Sequence, residues 1–86
     1  MVMSAGETTF TARQRQVVEL IANGLSNAEI AEVLGISPRT AKAHSDVLRT
    51  KLGVSRRRQI PAAFRRLTGE DPHALQSLEQ AAIGET

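Results

Sequence analysis

Between Phe10 and Gly69 the apolar residues fall into four groups with helical spacing, and a glycine follows each group. In the first group Val17, Val18, Leu20 and Ile21 form a wide stripe, predicting a helix from about Ala12 to Asn23 that Gly24 closes. Thr11 is placed to cap it and Gln14, three residues on, to reciprocate. Phe10 stands where a hydrophobic staple packs on the aliphatic stem of Arg15 or on Val18. The second group is Ile30, Ala31 and Leu34, on a helix from about Asn27 to Leu34 that opens with Ser26 and Glu29 as a capping box. Gly35 suits the left-handed conformation that ends a helix. Ser37 then caps a third helix with Pro38 at its first position, and Gly53 ends it after Leu52. Only Gly35-Ile36-Ser37 separates the two helices, the spacing of a helix-turn-helix.

The third helix divides lengthwise. Ala41, His44, Leu48 and Leu52 recur at spacings of three and four along one side, while Arg39, Lys42, Ala43, Asp46 and Thr50 lie on the other. One side is predicted to pack and the other to meet a partner. A fourth helix is expected from about Arg56 to Thr68, capped by Ser55, with Ile60, Phe64 and Leu67 inward and Gly69 as its stop. Pro61 conflicts with that start: inside a helix it removes one backbone bond and presses on the carbonyl four residues back, so a kink or a later start is expected. Residues 1–9 read as a disordered lead, residues 10–69 as the domain, and residues 70–86 as an acidic tail. In that tail Asp71-Pro72 signals a cap, and Leu75, Leu78 and Ala82 line a short fifth helix. The fold class is all-α.

Composition narrows the function. The chain has 86 residues, a single small domain without cysteine to staple it, which removes disulfide frameworks, cysteine-based zinc sites and thiol catalysis and fits a cytoplasmic setting. His44 and His73 stand far apart with no carboxylate cluster beside them, so no metal site and no cofactor are expected. No apolar run approaches the ~18 residues of a membrane span. All eleven Lys and Arg and four of the nine acids lie between Arg13 and Leu67, a net +7, whereas the five acids of the flanks make −5. A basic centre suits a polyanion partner. The only aromatics are Phe10 and Phe64, which argues against modules that stack single-stranded bases or RNA on aromatic platforms.

The residues from Phe10 to Gln59 resemble the LuxR-type helix-turn-helix, a bacterial DNA-binding domain. The matching landmarks are Thr11 with Arg13, Ala22 with Gly24-Leu25-Ser26-Asn27, Glu29-Ile30-Ala31, Leu34, Ile36-Ser37, Thr40 with Lys42 and His44, Lys51-Leu52-Gly53-Val54, and Arg57 with Gln59. The resemblance implies a four-helix fold in which the second helix braces the DNA backbone and the third lies in the major groove. It implies that Lys42 and Ala43 face base edges, and that Thr40, Lys51, Arg57 and the start of the second helix at Ser26 and Asn27 hold phosphates. The chemistry of the residues agrees: unpaired N–H groups at a helix start favour phosphate, Lys42 can donate to guanine O6 or N7, and the Ala43 methyl can touch a thymine methyl. Arg39 and Asp46 complete the base-reading set. Arg56 joins the phosphate set, because three adjacent cations at a helix start oppose its dipole. The resemblance further implies a homodimer through the fourth helix, with RNA polymerase as a further partner.

Three residues depart from the family's pattern: Gln14 stands for the usual Glu, Ala41 for Val, and Asp46 for the neutral or basic donors common at that groove-facing position. Asp46 admits two readings, acceptance from cytosine N4 or pairing with Lys42, Arg49 or Thr50 along the helix surface. His44, on the apolar stripe, is expected to have a core or hydrogen-bonding role, and His73 to be solvated. The function read from the sequence is sequence-specific binding of double-stranded DNA by a transcriptional regulator. Two alternatives stay open on the residues alone. One is a protein-interaction module that kept the fold and lost DNA binding, motivated by Asp46, the acidic tail and Pro61. The other is a sigma-factor region-four-like domain, which shares the Glu-Ile-Ala and Ile-Ser pattern. An enzyme is not expected: no nucleophile beside a base, paired carboxylates or phosphate-cradling glycine loop can be found.

Overall fold

The computed structural model describes residues 9–73, and these form four α-helices without a strand among the described residues. They are α1 (Ala12–Ala22), α2 (Asn27–Leu34), α3 (Pro38–Leu52) and α4 (Ile60–Thr68), the last entered through a 3-10 turn at Arg57–Gln59. The first eight residues of the expected lead, and Leu75, Leu78 and Ala82 of the expected fifth helix, lie outside the described residues.

Local chemistry sets the helix ends. At α1 the Thr11 hydroxyl accepts from Gln14 N at 3.0 Å and the Gln14 amide accepts from Thr11 N at 3.0 Å. At α2 Ser26 and Glu29 repeat the exchange, at 3.1 and 2.8 Å. Both pairs satisfy helix-start donors that no intrahelical carbonyl can reach. Gly35 ends α2 at φ +69° and Gly53 ends α3 at φ +70°, backbone angles that cost a residue with a Cβ about 1–2 kcal/mol. Pro61 is accommodated by the later start. The chain turns through Arg57–Gln59 first, so Pro61 falls in the opening turn of α4, where a missing N–H leaves no helix bond unmade.

The core sits where α1, α3 and α4 converge, with α2 laid across α3. Val17, Val18, Ile30, Ala41, Leu48, Ile60 and Phe64 are fully enclosed, and Phe10, Ile21 and Ala31 nearly so. Phe10 joins the same buried cluster as Val18, its ring meets Phe64 edge-on at 5.1 Å and 64°, and the Arg15 guanidinium lies 5.7 Å from the Phe64 ring centre. Three expectations need correction. Leu67 is 48% exposed although about 100° per residue sets it in line with Ile60 and Phe64, and Ala63 is the third buried residue of α4. The Ser55 side chain caps nothing. The Gln59 amide reaches back instead and accepts from Ser55 N at 3.2 Å and Arg56 N at 2.8 Å. On α3 the buried line is Ala41, Ser45 and Leu48, with His44 only half-buried and without a hydrogen bond. At about 100° per residue Ser45 lies about 40° to one side of Ala41 and His44 about 60° to the other, and the fold covers the Ser45 side.

Candidate nucleic-acid interface

The outward side of α3 carries Arg39, Thr40, Lys42, Ala43, Val47 and Thr50, all exposed. The structure thus brings the sequence-predicted base-reading residues onto one surface and adds Val47, half exposed, which sequence reasoning missed. Its spacing of four from Ala43 and three from Thr50 continues the outward side, and that was the signal that could have found it. Arg39 has no hydrogen bond or ion pair, and its guanidinium extends into solvent. Lys42 Nζ donates to Asp46 Oδ2 at 3.1 Å, and Arg49 donates to Asp46 Oδ1. These two donors, Arg49 foremost, hold the Asp46 carboxyl below its ordinary pKa. The structure therefore realises the pairing reading of Asp46, with Lys42 and Arg49 as its partners. A shallow open groove of about 450 Å³ runs along the same side, lined by Asp46, Val47, Thr50 and Lys51.

The phosphate candidates divide into exposed and engaged groups. Ser37 Oγ accepts from Thr40 N at 3.1 Å and donates to Thr40 Oγ1 at 3.0 Å, which leaves the hydroxyl proton of exposed Thr40 unassigned. At the start of α2 the capping box uses the N–H groups of Ser26 and Glu29, while those of Asn27 and Ala28 make no backbone bond among the described residues. This is the donor arrangement that suits an anion. Arg56 is exposed and its guanidinium has no partner among the described residues.

Lys51 and Arg57 have internal partners. Lys51 Nζ donates to the Thr9 carbonyl and to Gln14 Oε1 at 3.2 Å, and sits 4.9 Å from the Phe10 ring centre, tying the entry of the chain to the end of α3. Arg57 Nε donates to Asn27 Oδ1 at 3.2 Å and Arg57 Nη2 to the Leu25 carbonyl at 2.7 Å. Partial burial lowers the Arg57 pKa from its ordinary value. Ser45 Oγ donates to the same Asn27 oxygen at 3.3 Å, so one amide joins the turn before α4, the start of α2 and the buried side of α3.

A short helix braced across a longer one, whose outer side is basic, studded with small residues and otherwise unoccupied, defines a helix-turn-helix DNA-binding domain. The chain belongs to the luxR family of bacterial regulatory proteins, whose model matches residues 8–62. It is 46% identical over 50 residues to the transcriptional regulatory protein MctR of Rhizobium johnstonii, covering 58% of this chain and 23% of that protein. It is 46% identical over 52 residues to the transcriptional regulatory protein UhpA of Escherichia coli, covering 60% of this chain and 26% of that one. A putative HTH-type transcriptional regulator of Mycobacterium tuberculosis is 42% identical over 55 residues, which are 64% of this chain and 6% of that protein. The chain therefore spans about a quarter of the length of the first two relatives and far less of the third. No solved structure matches it. The domain is a DNA-binding, transcription-regulating module, and its family is not a class of enzymes.

Proposed function

We propose that this domain binds a specific sequence of double-stranded DNA by laying α3 in the major groove, and that it regulates transcription as the names of its relatives state of them. The observation that carries the reading is the division of α3. Ala41, Ser45 and Leu48 are buried against the rest of the fold, while Arg39, Lys42 and Ala43 stand exposed with no partner beyond the helix itself. Lys42 and Arg39 donate to guanine, Ala43 meets a thymine methyl, and Asp46 accepts from cytosine N4 once Lys42 turns to the base. Ser26 and Asn27 at the start of α2, with Thr40 and Arg56, hold phosphates. Lys51 adds the proton that its two internal bonds leave over. Arg57 belongs to this set by position, and its part is taken up below.

Two copies bind two half-sites, because one recognition helix reads too few base pairs for useful specificity. The pairing runs through α4, where Leu67 is exposed. Action on bacterial promoters places the protein in the cytoplasm, with RNA polymerase as the further partner. Anisotropy of a labelled duplex, titrated with wild type and Lys42→Ala at several salt concentrations, tests the reading. With about two phosphates neutralised per half-site, by Lys51 and Arg56, log affinity falls with log salt at a slope near about −1.8 per copy, roughly tenfold between about 50 and 200 mM. Lys42→Ala weakens binding to a selected site by about 1–3 kcal/mol. A duplex that does not bind at low salt would refute the proposal.

A further inference from the structure

We infer that Arg57 acts on DNA binding as a positioning residue for Asn27 rather than as a phosphate contact. This rests on the reading of α2's start as a backbone-binding site. An arginine can only donate, so the Asn27 atom facing Arg57 Nε at 3.2 Å is the amide oxygen, and the Ser45 hydroxyl at 3.3 Å adds a second donor to it. With the oxygen held from two sides, the amide nitrogen is turned the other way. Asn27 Nδ2 makes no hydrogen bond, and no buried side-chain nitrogen or oxygen among the described residues lacks a partner, so Nδ2 reaches solvent.

It does so in the first turn of α2, beside the unused N–H groups of Asn27 and Ala28. Three neutral donors thus stand together in the first turn, at the positive end of the helix, a set that suits a phosphate oxygen. The Arg57 guanidinium, meanwhile, is half-buried and fixed at two points, on Asn27 and on the Leu25 carbonyl just before α2. Its charge lies behind the donors. Losing it frees the amide to rotate and removes the clamp on the turn.

The two roles give different salt dependence. A cation that neutralises a phosphate contributes about 0.9 to the slope of log affinity against log salt, whereas a neutral amide donor, or a cation acting behind it, contributes none. The experiment is anisotropy on a labelled random-sequence duplex, which reports backbone contacts, for wild type, Arg57→Ala, Arg57→Lys, Asn27→Ala and the double variant Asn27→Ala with Arg57→Ala. Circular dichroism confirms the folded state of each. The expected result is a loss of about tenfold for Arg57→Ala and for Asn27→Ala at unchanged slope, and a double variant no weaker than either single one. Arg57→Lys recovers part of the loss, since an ammonium can still donate to the Asn27 oxygen. Should Arg57→Ala fail to fold, Ser45→Ala removes the other donor to the same oxygen, and its loss of affinity must vanish in the Asn27→Ala background. A slope smaller by about 0.9 in Arg57→Ala, or losses that add in the double variant, overturns the inference and leaves the function intact. Wild type without salt-dependent binding overturns both.

Discussion

Replacing Phe64 with leucine isolates the contact that closes the fold. The Phe64 ring is fully buried, meets the Phe10 ring edge-on at 5.1 Å, and lies under the Arg15 guanidinium at 5.7 Å. Leucine keeps the site apolar but removes the planar ring. The unfilled volume costs about 1 kcal/mol, on the scale of a lost methylene that neighbours only partly close over. The edge-to-face pair is worth about 0.5–1.5 kcal/mol beyond its buried area, and the half-exposed cation over the ring about 0.5 kcal/mol. A loss of about 2–3 kcal/mol follows, which in a domain of this size lowers Tm by about 8–24 °C. Urea denaturation followed by circular dichroism measures it, and Phe10→Leu with the double variant completes a cycle. The coupling between the two rings should come out at about 1 kcal/mol, because Phe10 is the partner. A loss below about 0.5 kcal/mol, or a coupling of zero, would show that the ring geometry contributes nothing and that α4 is held by area alone.

Two further outcomes follow from the geometry. At Gly35 an added Cβ meets nothing within 4 Å, so Gly35→Ala carries only the penalty of φ +69° and lowers stability by about 1 kcal/mol in urea; Gly35→Asn, which tolerates that angle better, loses less. The Asp46 carboxyl should titrate below its ordinary 3.8 by NMR, and Arg49→Gln should raise the midpoint more than Lys42→Gln, since the Arg49 bond is the leading cause. Because its pKa is depressed by folding, the stability it contributes is complete above the unfolded value and disappears as pH falls through the folded one. A midpoint at or above 3.8 would show that the ion triad does not persist in solution.

The helices were legible because their signals are local. Thr11 with Gln14, Ser26 with Glu29, and Ser37 with Pro38 each act within three residues, and Gly35 and Gly53 need no distant partner to take their left-handed angles. The LuxR-type landmarks extended that reading to the fold and to the exposed side of α3. What stayed hidden depends on residues far apart in the chain. Nothing near Phe10 announces Phe64, and nothing near Arg57 announces an asparagine thirty residues earlier. Ser45 reads as a surface residue until the Asn27 oxygen is seen to take its proton, which is how a hydroxyl is buried without penalty. Leu67 shows the converse, since apolar spacing suggested burial and still aligns it with Ile60 and Phe64, but it stands in the last turn of α4, 48% exposed.

The two sides of α3 also separate what selection can change from what it must keep. Substitutions at Arg39, Lys42, Ala43, Val47 and Thr50 disturb no buried contact, whereas Ala41, Ser45 and Leu48 tie the helix to the rest of the domain. A new recognition sequence can therefore arise one exposed position at a time on an unaltered scaffold, with no loss of stability to be compensated elsewhere. The same division marks where a designer would transplant another regulator's preferences, provided the serine at 45 goes with the scaffold and not with the graft.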